Sequence, residues 1–179
     1  MTNEHLRSAI ALTPDLMPLV ESFDCGSRPW AQEVNAYIHG GEEGVLGDLA
    51  RGAEVWLYPS SSDRIVGFGA LGASHWRYPD SRRSPRAPLT ILLMFGIQRD
   101  YQGQPPGPVE QHYSRRILRD LIARAARHEE RLPLLGLFVQ VGNEKAIRAY
   151  EDEKFEKFSD PRPDAQTGIL YQRMLLKLR

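Results

Sequence analysis

Two short stretches hold the residue types whose spacing could do chemistry. The first, IQRDYQGQPPGPVEQHYSRRIL, leads from an apolar run through Gly103 and Gly107 into a helical pattern. A glycine-rich turn feeding a helix N-terminus offers free N–H groups and the positive end of the helix dipole, a setting that suits phosphate. Taken alone it is a commonplace loop between a strand and a helix. The second is LGLFVQVGNEKAIRAYEDEKF, residues 135–155. Here an apolar run reaches Asn143, which stands where a helix N-cap belongs. Tyr150 lies one to two turns further on, so strand end and helix face could address one cleft. Read as architecture alone, the same residues give a capped helix that packs Ala146, Ile147 and Tyr150.

The elements that must position these residues follow from periodicity. Residues 6–12 predict a short strand. Thr13, Pro14 and Asp15 mark the start of a helix over 14–22. FDCGSRP (23–29) is a loop, WAQEVNAYIHG a helix ending at Gly40-Gly41, and 43–51 a third helical segment. The period then changes: 54–59 and 64–73 read as strands joined by a Ser-Ser-Ser-Asp turn. A polar loop rich in Pro, Arg and Ser covers 77–88. LTILLMFGIQ (89–98) is the near-continuous apolar run of a strand buried on both faces. From 113 to 128, Ile117, Leu118, Leu121, Ile122 and Ala125 share one helical face. Residues 134–141 form another buried strand, a helix follows Asn143, and 168–178 alternate as a last strand. Strand-helix-strand passages of this length predict parallel neighbours with right-handed crossovers. The expectation is one α/β domain, residues 1–179.

Composition narrows the function classes. Lys plus Arg equals Asp plus Glu, 23 of each, so the formal charge is zero. That speaks against a protein whose main task is covering nucleic-acid phosphates. The single cysteine, Cys25, excludes an internal disulfide and a multi-cysteine zinc site, and the five histidines lack metal-ligand spacing. Neither a signal-peptide core nor a run of about 18 apolar residues occurs. A cytoplasmic protein without metal or membrane partner is expected.

Together and in this order, the two stretches resemble the GCN5-related N-acetyltransferase family. The central strand, Gln102-Gly103-Gln104 and the following helix look like its coenzyme-A motif. Asn143, Ala146, Ile147, Tyr150 and Phe155 look like its second motif, and the likeness spans about residues 54–158. FDCGSRPWAQEVNAYI resembles the opening loop of some acetyltransferases. The resemblance implies a mixed, mostly antiparallel central sheet flanked by helices, with a splayed central strand pair. It implies acetyl-coenzyme A as co-substrate and an amine acceptor of unspecified class, and it leaves a homodimer open. Phe95, Gly96 and Ile97 would bond the pantetheine arm, and Gln102, Gly103 and Gln104 would begin the pyrophosphate loop. Ser114 and Arg115 would end that loop, and Asn143 would lie beside the pantetheine or the attacking nitrogen. Tyr150 would be the general acid that protonates the departing thiolate.

The sequence also departs from the family pattern. PPGPVEQH (105–112) reads as an insertion in a normally short loop, and Pro105 and Pro106 have no N–H to donate. Ser114 stands at the last small position, and Lys154 where the family generally has Gly. No general base declares itself; Glu54, His75, Glu110 and His112 are the candidates, with Trp76 and Tyr78 as acceptor-pocket aromatics. Cys25 lacks the neighbouring histidine of a cysteine nucleophile. Two further readings stay open: a toxin acetylating aminoacyl-tRNA, and a non-catalytic module that retains the fold.

Overall fold

The computed structural model describes residues 4–76, 87–104 and 111–178. The chain is organised as two units, Met1–Gly72 with Met94–Leu121 and Ala73–Leu93 with Ile122–Arg179. Among the described residues no helix is long and apolar enough to cross a membrane.

The first unit is built on a meander. Strand β1 (Ile10–Ala11) pairs antiparallel with β2 (Glu54–Pro59), which pairs antiparallel with β3 (Ile65–Trp76) from Glu54↔Leu71 to Pro59↔Ile65. The Ser60–Asp63 turn closes with Ser60 N–H on Arg64 O at 2.8 Å and Asp63 at φ 64. Next to β3 comes β4 (Ala87–Ile97). Helix α1 (Pro29–His39) starts on a proline at its first turn, and α2 (Val45–Ala50) follows a short 3-10 turn. Helix α3 (Tyr113–Ala125) seats Ile117, Leu118 and Leu121 in the core with Val20, Ile38, Val45, Leu57 and Phe68. Glycines on β3 make that seat: a Cβ on Gly69 would stand 2.3 Å from Leu121 Cδ1, and one on Gly67 2.7 Å from Gly96 O.

In the second unit β4 pairs parallel with β5 (Leu132–Gln140), from Leu89↔Leu132 to Leu92↔Leu137. Strand β5 pairs antiparallel with β8 (Leu170–Lys177) as far as Gln140↔Tyr171. The short strands β6 (Glu156–Lys157) and β7 (Arg162–Pro163) also pair β8 antiparallel. Helix α4 (Glu144–Asp152) links β5 to β6. Trp76, Leu89, Ile91 and Leu134 form the buried core, with Leu93, Leu132, Phe158 and Leu175 against it. The resulting fold is a mixed, mostly antiparallel sheet with helices, and its parallel register ends at Leu92↔Leu137.

Several expectations are corrected. The passage β4–α3–β5 gives parallel neighbours, but β5–α4–β8 does not. After α4 the chain lays down β6 and β7, then reverses at a turn where the Asp164 carboxylate takes the N–H groups of Gln166 and Thr167. Helix 14–22 is a 3-10 helix, Pro14–Val20, because Pro18 within it has no N–H to give. The Thr13 hydroxyl donates to the Asp15 carboxylate at 2.5 Å and does not cap that helix. Strand 6–12 shrinks to Ile10–Ala11 plus a bridge from Leu6 to Ser60. Of the loop expected over 77–88, residues 77–86 lie outside the described residues, and β4 already begins at Ala87.

Candidate active site

Where the β4–β5 register ends, the character of β4 changes. Leu89 to Leu92 are buried, Leu93, Met94 and Phe95 are half-buried, and Gly96 and Ile97 are buried again. The Gln98 N–H donates to Val66 O at 2.9 Å, and a Cβ on Gly96 would stand 2.9 Å from the Phe68 ring. Alternate residues of such a ladder turn their N–H and C=O to opposite sides. Gly96 therefore turns its backbone toward β3, while Phe95 and Ile97 turn theirs away from it. The Ile97 carbonyl is already engaged: it accepts from Cys25 Sγ at 3.2 Å and from Gln102 Nε2 at 3.0 Å. Gly96 is required for close approach, since a Cβ there would meet Val34 Cγ1 at 2.6 Å and Cys25 Sγ at 3.1 Å.

The next predicted residues follow in the same unit. Arg99–Tyr101 form one 3-10 turn, after which Gly103 adopts φ +73, the left-handed region that favours glycine. Gln104 N–H donates to Tyr101 O at 3.1 Å, and Tyr113 N–H to Gln104 O at 2.8 Å, so the loop is closed at its base. Ser114 and Arg115, both half-buried, occupy the first turn of α3, whose leading N–H groups lack intrahelical acceptors. Structure thus brings Phe95, Gly96, Ile97, Gln102, Gly103, Gln104, Ser114 and Arg115 into one unit. Pro105, Pro106, Gly107 and Glu110 lie outside the described residues.

Asn143 and Tyr150 belong to the second unit. Asn143 caps α4, its Oδ1 accepting from Ala146 N–H at 3.2 Å. Tyr150 is buried and meets the Phe155 ring edge-on at 5.6 Å. Burial pushes the Tyr150 phenol above the ordinary tyrosine range. Lys154 adopts φ +73 at the end of α4, where Phe155 N–H returns to Tyr150 O at 3.0 Å. A left-handed residue at this point explains why Gly would suit the position better than Lys.

Other candidates find structural places. Trp76 is not free to line an acceptor pocket: it is buried, stacked at 5.7 Å on Phe158 and edge-on to Phe138 at 5.3 Å. His75 is exposed on β3, Glu54 half-buried at the start of β2, and His112 gives its carbonyl to Arg116 N–H. Tyr78 lies outside the described residues. The Cys25 thiol is buried, and burial pushes it up to about 12 despite its bond to Ile97. Among the described residues no group of three or more His, Cys, Asp or Glu could hold a metal ion.

Sequence reasoning missed a polar junction behind the end of β4. Asp24 N–H donates to Gln98 Oε1 at 2.7 Å, and its carboxylate takes Gly26 N–H at 2.7 Å, Asn35 Nδ2 at 3.0 Å and the Arg99 guanidinium. Cys25 N–H donates to Asn35 Oδ1 at 2.8 Å, and Cys25 O accepts from Gln102 Nε2 at 2.8 Å. The side chains of Gln98 and Gln102 hold the FDCG loop against the strand end. The cluster of Asp, Asn and Gln residues was visible; their partners, about 75 residues away, were not.

No family model and no curated protein matches the sequence. Solved structures do. A bacterial toxin is 16% identical, with a TM-score of 0.71 over 97% of this chain and 90% of that one. The toxin AtaT, a mutant bound to the C-terminus of the antitoxin AtaR and to acetyl-CoA, is 17% identical, with a TM-score of 0.57 over 96% and 92%. The spermidine/spermine N-acetyltransferase SpeG from Vibrio cholerae, in complex with manganese ions, is 13% identical, with a TM-score of 0.58 over 96% and 91%. At such identities the shared property is the fold, which is that of the GCN5-related N-acetyltransferases.

Proposed function

We propose that this chain is an N-acetyltransferase that moves an acetyl group from acetyl-coenzyme A to an amine by direct attack within a ternary complex. One observation carries the reading: the parallel register ends at Leu92↔Leu137 while β4 continues to Ile97. The backbone of Phe95, and the N–H of Ile97, are thereby turned away from β3. These are the groups a pantetheine amide chain would bond. Gly96 contributes by lacking a side chain, and the Ile97 carbonyl stays with Cys25 and Gln102. The pyrophosphate would meet the left-handed turn at Gly103, with Gln102 and Gln104, and the first turn of α3 with Ser114 and Arg115. A helix start and a glycine turn favour an anion there. The reading treats residues 1–179 as one catalytic domain.

In the reaction the amine nitrogen attacks the thioester carbonyl carbon and the carbonyl oxygen takes up negative charge. A backbone N–H of β4 would stabilise that oxygen. Collapse breaks the C–S bond, and Tyr150 donates its phenolic proton to the departing thiolate. The phenol is protonated at neutral pH, as that of any tyrosine is, so the donor form is present. The attacking nitrogen gives its surplus proton to solvent, and by the family resemblance Asn143 would serve beside the pantetheine or that nitrogen.

Calorimetric titration with acetyl-coenzyme A tests the reading, beside Gly103→Glu and Gly103→Ala. Among the described residues a Cβ at Gly103 meets nothing within 4 Å, and both variants share the same backbone strain. Micromolar binding that survives alanine and is lost with glutamate supports the placement. Absence of binding to the wild-type chain sinks it.

A second reading concerns the acceptor. Two of the compared structures are toxins, which keeps open an acceptor amine on aminoacyl-tRNA and a proteinaceous antitoxin as partner. Zero net charge counts against it. Growth arrest on expression, relieved by Tyr150→Phe, would favour this acceptor over a small amine or a peptide N-terminus.

A further inference from the structure

The turn assigned to the pyrophosphate is flanked by two tyrosines, and one N-terminal residue holds both. Tyr101 and Tyr113 are buried and meet edge-to-face at 5.7 Å. The Tyr101 hydroxyl donates to the Glu4 carboxylate at 2.8 Å. The Tyr113 hydroxyl donates to the Glu4 backbone carbonyl. Glu4 is itself anchored from behind. Ser61 N–H donates to His5 O at 2.9 Å, Arg7 N–H donates to Pro59 O at 2.9 Å, and the Arg7 guanidinium pairs with Asp63. Hydroxyls of Ser60 and Ser62 also reach the Glu4 carboxylate, and together with Tyr101 they hold it below the ordinary carboxylate range. Arg64 covers the Tyr101 ring at 5.3 Å and pairs with Asp100 at 2.9 Å.

We propose that Glu4 is a positioning residue for the Gln102–Gln104 turn, a clasp that ties Tyr101 before the turn and Tyr113 after it to the β2–β3 hairpin. The Tyr101 carbonyl takes Gln104 N–H and the Tyr113 N–H donates to Gln104 O, so fixing the two tyrosines fixes both ends of Gln104. Backbone donors aimed at an anion act through preorganisation, and a misplacement of about 1 Å is costly. Glu4 touches no reacting atom; it acts through the tyrosines. The inference rests on acetyl-coenzyme A binding at this turn.

The test compares the wild-type chain with Glu4→Ala, Tyr101→Phe and the double variant. Two readouts are used: acetyl-coenzyme A affinity by calorimetry, and hydrogen exchange of the Gln104 and Tyr113 amides without ligand. Each single variant is expected to weaken affinity by on the order of tenfold, the effect of losing a hydrogen bond to a charged acceptor. The double variant is expected to be no weaker than either single, because both remove the same bond. Both amides exchange faster in all three. Unchanged exchange overturns the clasp whatever the affinities. Faster exchange with unchanged affinity, or additive losses in the double variant, overturns the positioning role. If the wild-type chain binds no acetyl-coenzyme A, the acetyltransferase reading fails, and the exchange rates alone decide whether the clasp exists.

Discussion

The Cys25 thiol donates a hydrogen bond to the Ile97 carbonyl, 3.2 Å away across 72 residues of sequence. It thereby ties the loop before α1 to the end of β4. The Gln102 amide completes the junction, reaching Ile97 O and Cys25 O. A cysteine so placed is a structural donor rather than a nucleophile.

Two outcomes are expected of that thiol. Thiol-labelling reagents at neutral pH should modify Cys25 only as fast as the chain unfolds, and mass spectrometry during denaturant titration reads this. The pH dependence has a definite sign. The thiol is pushed from 9.0 up to about 12, so above pH 9 the folded chain keeps a proton that the unfolded chain has released. Its contribution is therefore full below pH 9 and is lost as pH rises toward 12, at up to about 1.4 kcal/mol per pH unit for one group. Tyr37 and Tyr150, also raised by burial, act in the same direction above the ordinary tyrosine value. Urea melts between pH 8 and 11 should show a gentler decline for Cys25→Ser than for the wild-type chain.

Gly96→Ala should destabilise the chain by roughly 1–3 kcal/mol, the usual cost of overpacking a filled site. The added methyl would stand 2.6 Å from Val34 Cγ1 and 2.9 Å from Phe68 Cε1. At Gly103 an added Cβ meets none of the described residues within 4 Å, so Gly103→Ala adds backbone strain without that clash and the two melts should differ.

Lys154→Gly should raise stability by roughly 0.5–1 kcal/mol. An L-residue at φ +73 costs about 1–2 kcal/mol, and the extra chain entropy of glycine takes back part of the gain. The urea midpoint should rise with unchanged slope; a lower midpoint would mean that the lysine side chain makes a contact worth more than the strain.

Asn143→Ala should cost about 1 kcal/mol through loss of the cap on Ala146 N–H. Asn143→Asp or Asn143→Ser should restore most of it, and thermal melts of the three variants check this.

Tyr150→Phe should slow acetyl transfer by about 100-fold or more with little change in acetyl-coenzyme A affinity. Phenylalanine keeps the edge-on packing with Phe155, so the melting temperature should stay close to that of the wild-type chain. Equal rates in the two proteins would remove Tyr150 from the acid role.

By itself the sequence determined the elements whose pattern is local. The apolar run of β4, the one-sided faces of α3 and α4, the 54–59/64–73 hairpin and the Asn143 cap all follow from residues within a few positions of one another. The Gly40-Gly41 pair likewise marks the end of α1. Tertiary structure decided what depends on distant partners. The end of the β4–β5 register at Leu92, the antiparallel course of β8, the burial of Trp76 and the close-packing need for Gly67, Gly69 and Gly96 come from neighbours that periodicity does not name. The same holds for the Gln102 junction with Cys25 and for Glu4, whose partner Tyr113 lies 109 residues on. Hydrophobic period and capping act within one or two turns of chain, whereas a hydrogen bond or a missing Cβ is meaningful only against the atom that folding brings to it.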